Sequence, residues 1–274
     1  MTTSPSIQLN DGRLMPQLGL GVWQASVAQA REAVRTALEC GYRSIDTAAI
    51  YENEEGVGQG LGDAGVPRDE VFVTTKLWNE SQGYDEAMRA LPASLDRLGL
   101  DYVDLFLIHW PAPQRGRYVD SWRALAHLRN EGRVRSIGVS NFTPAHLQRL
   151  FDDTGITPAV NQVELHPYLQ QRELRHFHAR FGIVTEAWSP LGQGQALNDD
   201  VIIRVARKHG RTPAQVVIRW HLECGQVAIP KSVTPERIRE NFRVFDFRLD
   251  ADDIAAIDDL DRNHRIGPHP DRFF

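Results

Sequence analysis

The stretch Ser44-Ile45-Asp46-Thr47-Ala48-Ala49-Ile50-Tyr51-Glu52-Asn53 sets the pattern of the chain: a short apolar run closes on a carboxylate, and a tyrosine follows in the next loop. Runs of the same kind recur at Leu18 to Gly21, Val71 to Lys76, Val103 to His109, Ser136 to Ser140, Val160 to Glu164, Val184 to Trp188 and Val227 to Pro230. With Ser44 to Asp46 they make eight. They are too continuously apolar for strands with one wet face, and so read as buried parallel strands. Helical periodicity fills the gaps, over Val27 to Cys40, Asn53 to Gly65, Tyr84 to Leu98, Ser121 to Glu131, Thr143 to Asp153, Gln170 to Arg180, Asp199 to His209, Thr212 to Cys224 and Thr234 to Val244. Thr143-Pro144, Thr212-Pro213 and Thr234-Pro235 each place a capping hydroxyl before a proline, while Gly41, Gly99 and Gly210 follow helix ends.

This alternation predicts an α/β fold, a closed (β/α)8 TIM barrel, with an open doubly wound sheet as the alternative. Ile7 to Pro16, turning at Asn10-Asp11-Gly12, predicts an N-terminal β-hairpin. Asp250 to Leu260 predicts an extra C-terminal helix, and His264 to Phe274 a short tail that leaves the barrel mouth open. No linker or composition shift divides the chain, so residues 1–274 are expected to form one barrel domain; such barrels typically take about 250 residues.

Composition narrows the function. A formal charge of −5 without a basic run argues against nucleic acid or an anionic membrane as partner. Two distant cysteines, Cys40 and Cys224, and no long apolar segment point to a reduced, cytoplasmic, soluble protein, expected to be a monomer. Lysine occurs only at Lys76, Lys208 and Lys231, with arginine everywhere else. A chain that prefers arginine this strongly is expected to keep lysine where a removable proton or a compact ammonium is needed. Lys76 and Lys231 both close apolar runs.

In a barrel the strand ends converge on one mouth, which brings Asp46, Tyr51, Lys76 and His109 together. A tyrosine is a poor acid near neutrality unless an ammonium lowers its pKa, and a carboxylate can hold that ammonium in place. His109 adds a hydrogen bond to a carbonyl oxygen. Such a site can protonate an alkoxide, but no side chain supplies a hydride, so a redox cofactor is required. Ser140, Asn141 and Gln162 suit a carboxamide and Trp188 a flat ring. Lys231, Ser232 and Arg237 surround a helix start that favours a phosphate.

Two patterns invite other readings. Gly60-Leu61-Gly62-Asp63-Ala64-Gly65 matches G-x-G-x-x-G but ends a helix before a strand, the reverse of a dinucleotide fingerprint. Glu173, His176 and His178 suggest zinc, yet the two histidines face apart on a helix and read as a solvated surface. His166, close to Glu164, reads as structural.

The chain resembles the aldo-keto reductases along its whole length. The resemblance rests on Gly41 to Ala48, Tyr51-Glu52-Asn53-Glu54, Thr75-Lys76-Leu77-Trp78, Leu105 to Pro111, Gly138 to Phe142, Asn161-Gln162, Ser189-Pro190-Leu191-Gly192 and Pro230-Lys231-Ser232. It implies NADPH as cofactor and reduction of aldehydes or ketones, with Asp46, Tyr51, Lys76 and His109 as the catalytic set and Tyr51 as acid. It likewise implies Ser140, Asn141 and Gln162 at the carboxamide, Trp188 on the nicotinamide, and Ser189, Leu191 and Gly192 at the pyrophosphate. Lys231, Ser232 and Arg237 would take the 2′-phosphate, with Glu240 and Asn241 at the adenine. Trp188 and Gly267 to Asp271 are similar to the bacterial 2,5-diketo-D-gluconate reductase branch, which suggests small aldehydes, ketones or keto sugars as substrates. Trp23, Ala49, Trp78 and Trp110 are expected to line the substrate cavity. Two other readings stay open: a lyase forming a Schiff base through Lys76, and a non-catalytic NADPH-binding sensor.

Overall fold

The computed structural model describes residues 4–273. Eight parallel strands follow one another around a single sheet: β3 (Leu20–Gly21), β4 (Ser44–Asp46), β5 (Phe72–Leu77), β6 (Val103–Ile108), β7 (Val134–Ser140), β8 (Val160–Glu164), β9 (Val184–Trp188) and β10 (Val227–Ala228). Parallel bridges from Leu18 to Ala228 and from Gly21 to Lys231 join the last strand to the first. The Gly19 N–H donates to the Ala228 carbonyl at 3.0 Å across that seam. The sheet is thus a closed barrel, and the doubly wound alternative falls.

Strands β1 (Ser6–Gln8) and β2 (Leu14–Pro16) form the expected antiparallel hairpin, with Ile7 opposite Met15. Met15 is fully buried and packs with Phe72, Leu105, Val160, Val184 and Val227. These residues sit toward the N-terminal ends of their strands, so the hairpin plugs the bottom of the barrel and leaves the chemistry to the other end.

The helices are α1 (Val27–Cys40), α2 (Glu54–Ala64), α3 (Tyr84–Leu98), α4 (Tyr118–Asn130), α5 (Pro144–Thr154), α6 (Arg172–Phe181), α7 (Asp200–His209), α8 (Pro213–Glu223), α9 (Pro235–Phe242) and α10 (Ala251–Asp258). Thr143 and Thr212 cap α5 and α8 with their side chains. Thr234 makes no such bond: its own N–H is taken up by Ser232 Oγ at 3.2 Å, and the start of α9 has no side-chain cap. Helix α4 begins before the expected Ser121, because Tyr118 and Val119 bury apolar surface although Arg117 offers no cap. The glycine run from Gly60 lies in α2 and its C-cap. A methyl group at Gly60 would come within 2.6 Å of the Arg31 carbonyl, so this glycine serves the close approach of α2 to α1. Among the described residues, no helix is long and apolar enough to cross a membrane.

Candidate active site

A cavity of about 430 Å³ opens at the C-terminal ends of the strands. Asp46, Tyr51 and His109 line it, and bonded to Asp46 lies Lys76 of β5, with no exposed surface. Its Nζ donates to Asp46 Oδ2 at 2.5 Å and to the Thr47 carbonyl at 2.9 Å. Burial alone would lower the Lys76 pKa, but Asp46 and Tyr51 outweigh it and hold the ammonium above its ordinary value. An amine kept protonated is not a nucleophile, which counts against the Schiff-base reading.

Tyr51 closes the single turn of 3-10 helix Ala49–Tyr51 that follows β4, and its ring centroid lies 5.1 Å from Lys76 Nζ. The sequence suggested a lowered tyrosine pKa. The net shift is instead upward, because burial of the phenol exceeds the opposing effect of Lys76. His109, just after β6, sets its ring edge-on to Tyr51 at 5.6 Å between centroids and to Trp78 at 5.2 Å. Burial and the nearby Lys76 push the imidazole well below its usual pKa, so it is neutral, and its Nδ1 has no partner among the described residues.

A network of amides and hydroxyls borders this group. Gln162 Nε2 donates to Asp46 Oδ1 at 2.7 Å, and Ser140 Oγ donates to the Gln162 carbonyl at 2.8 Å. Asn141 adopts a left-handed φ of 63°, and its Nδ2 donates at 3.0 Å both to the His109 carbonyl and to Ser140 Oγ. Its Oδ1 accepts from Trp188 Nε1 at 2.8 Å. Asn141 therefore spends both N–H groups inside the protein and fixes the Trp188 ring at the cavity wall. Ser189 and Lys231 also line the cavity.

Other expected residues stand outside it. Leu191, Gly192, Ser232, Arg237, Glu240 and Asn241 do not line the cavity. Arg237 is exposed on the first turns of α9. Glu240 accepts from Thr212 Oγ1 at 2.8 Å, tying α9 to α8. Trp23, Trp78 and Trp110 line the cavity as expected, whereas Ala49 does not; its neighbour Ile50 does, since the 3-10 turn points that residue to the mouth.

The expectation of an open mouth fails. Gly267, Pro268 and Phe273 of the tail line the cavity, and the Phe273 ring lies 4.6 Å from Trp110. The tail is held by Glu164, buried at the end of β8: its carboxylate accepts the Ile266 N–H at 2.6 Å and the Gly267 N–H at 2.9 Å. The His166 ring also bonds Glu164, at 3.1 Å, so this histidine belongs to the anchor. On α6, His176 is exposed while His178 is buried between Asn161 Nδ2 and Thr185 Oγ1, both at 2.9 Å. His178 is therefore no part of a solvated face, and burial pushes its pKa down to about 3. Sequence reasoning also passed over Glu186, a carboxyl inside the barrel beside Gln162, although a glutamate within an apolar run carries the same signal as Asp46.

A closed barrel with its polar groups gathered at this end defines the class. The sequence profile of the Aldo/keto reductase family matches residues 16–262, and the chain belongs to that family of oxidoreductases. Methylglyoxal reductase DkgA of Yersinia pestis is 58% identical over 275 residues, covering 100% of this chain and 99% of that protein. An aldo-keto reductase of Mycolicibacterium smegmatis is 57% identical over 270 residues, 98% of each. Among solved structures, Gox0644 in its apo form superposes with a TM-score of 0.96 at 52% identity over 100% of both chains. A Gox0644 variant in complex with NADPH gives the same values.

Proposed function

We propose that the chain is an NADPH-dependent carbonyl reductase, one barrel domain acting on small aldehydes, ketones or keto sugars, with methylglyoxal and 2,5-diketo-D-gluconate as leading candidates. The observation that carries the proposal is the buried Lys76–Asp46 pair beneath Tyr51, with a neutral His109 alongside, in a cavity walled by tryptophans.

The residues present fit the cofactor. Trp188 offers a fixed ring face, and Gln162 lines the cavity for a carboxamide. The uncapped start of α9 leaves N–H groups for an anion between Lys231 and Arg237. NADPH, when bound, supplies the hydride. Tyr51 supplies the proton: its phenol starts protonated, and although burial raises its pKa, the Lys76 ammonium works against that burial and favours loss of the proton. As charge develops on the carbonyl oxygen the phenol proton moves to it, and the Lys76 ammonium stabilises the phenolate left behind. Asp46 holds that ammonium in place, and His109 as a neutral donor orients the carbonyl oxygen toward Tyr51. A cavity of about 430 Å³ that also takes the nicotinamide leaves room for a small substrate only, beside the rings of Trp23, Trp78 and Trp110.

The test is loss of NADPH absorbance with methylglyoxal, an aromatic aldehyde, a simple ketone and 2,5-diketo-D-gluconate. Turnover of several carbonyls, faster with NADPH than NADH, is the expected result. Tight NADPH binding with no turnover on any of them would favour the sensor.

A further inference from the structure

Glu186 lies in the middle of β9, in register with Gln162 of β8, and is fully buried inside the barrel. Its Oε2 accepts from Gln162 Nε2 at 2.9 Å, and the same nitrogen donates to Asp46 Oδ1 at 2.7 Å. Among the described residues its Oε1 has no partner. Burial and the neighbouring Asp46 push the Glu186 pKa up to about 8, so at neutral pH it adds little charge beside the Lys76–Asp46 pair. A half-satisfied carboxyl in a barrel core is costly.

A side-chain amide nitrogen carries two hydrogens, and in Gln162 two carboxyl groups take both. With the nitrogen fixed on that side, the amide oxygen is directed away from Asp46, and Gln162 is part of the cavity lining. With Asp46 alone, one N–H would be unclaimed and a single hydrogen bond would set the tilt of the amide; the second bond, to Glu186, fixes its plane as well.

We propose that Glu186 is a positioning residue: with Asp46 it locks the Gln162 amide so that its carbonyl oxygen, and not its NH2, meets the carboxamide of the nicotinamide. This rests on the NADPH reading above and adds a residue that acts through Gln162, touching neither cofactor nor substrate. The consequence is selective. A carboxamide donates an N–H to Gln162, whereas a cofactor carrying an acetyl group in its place has no such donor and gains nothing from the lock.

The experiment titrates NADP+ and its 3-acetylpyridine analogue into the intact protein and follows quenching of tryptophan fluorescence. One hydrogen bond of about 1.4 kcal/mol corresponds to a tenfold preference for NADP+ in the wild type. Glu186→Leu removes the acceptor and should cut that preference to about twofold or less, while Glu186→Gln, which still offers an oxygen to Gln162, should stay within about twofold of wild type. A purely structural role would weaken both ligands together and leave the ratio unchanged, which overturns the proposal, as does a wild type that binds both ligands equally. If the wild type binds neither, the NADPH reading itself fails and the proposal with it. Circular dichroism melting checks that Glu186→Leu folds; if it does not, Glu186→Ala is read by the same ratio.

Discussion

Replacing Glu164 by glutamine should release the C-terminal tail without unfolding the barrel. In the native protein one oxygen of Glu164 accepts the Ile266 N–H at 2.6 Å and the other accepts the Gly267 N–H at 2.9 Å, with Arg265 at 3.4 Å beside the second. Glutamine keeps one acceptor and turns an NH2 toward a backbone N–H, so one charge-assisted bond is lost and a donor faces a donor. Hydrogen bonds to charged groups are worth about 1.5–3 kcal/mol each, and an unsatisfied buried donor adds a similar cost. A loss of about 3 kcal/mol in tail docking corresponds to a roughly 100-fold rise in opening. Hydrogen exchange at Ile266 and Gly267 should therefore accelerate by about that factor, while amides of β5 and β6 keep their protection. As Phe273 leaves Trp110, tryptophan emission should shift to the red and KM for small carbonyls should rise. The pH dependence has a definite sign. Burial works to raise the Glu164 pKa, but His166, the two N–H groups and Arg265 outweigh it and hold the carboxyl below its ordinary value. The docking it contributes is thus present above about pH 4.5 and lost as pH falls through the lower folded value. Unchanged exchange at Ile266 and Gly267 in Glu164→Gln would refute the anchor.

Three further perturbations probe the site. Tyr51→Phe should lower kcat by about 10²–10⁴-fold, the range for a positioned general acid, with NADPH affinity nearly unchanged; lost binding would contradict its role as proton donor. Lys231→Ala should weaken NADPH at least about tenfold more than NADH in parallel fluorescence titrations, one charge-assisted contact being worth that much. Equal losses would place the 2′-phosphate elsewhere. Glu186→Gln should raise stability in urea, and increasingly so with pH. The folded pKa of Glu186 is about 8 against an ordinary 4.5, so its stability contribution is intact below 4.5 and lost as pH rises toward 8; the loss is on the order of 3 kcal/mol at pH 7. Parallel stability curves for variant and wild type from pH 5 to pH 8 would place the raised pKa in doubt.

Most of the barrel was legible because its strands are encoded locally. Each apolar run carries its own period, and Thr143 and Thr212 announce their helices with a hydroxyl and a proline. Where the local signal was missing, as at Arg117, the helix start was misplaced, since burial of Tyr118 and not a cap decides it. Thr234 and Pro235 likewise mark the start of α9, where only the side-chain bond of the cap is missing. Asp46, Lys76 and His109 could be assembled because polar residues that end buried strands must meet one another at the mouth. The tail was not legible, because nothing near Gly267 in the sequence points to Glu164, over a hundred residues earlier.

Glu186 falls between these cases. As a carboxyl inside an apolar run it was marked in the sequence as plainly as Asp46, but its partner was not: Gln162 reaches it through the β8–β9 register and reaches Asp46 across the barrel. A strand pattern tells which residues face the interior, yet only barrel closure decides which interior residues meet. The same closure makes Gln162 a shared partner, so its orientation depends on two carboxyl groups from different strands. Losing either one should disturb the part of the cavity that Gln162 lines before it disturbs the fold.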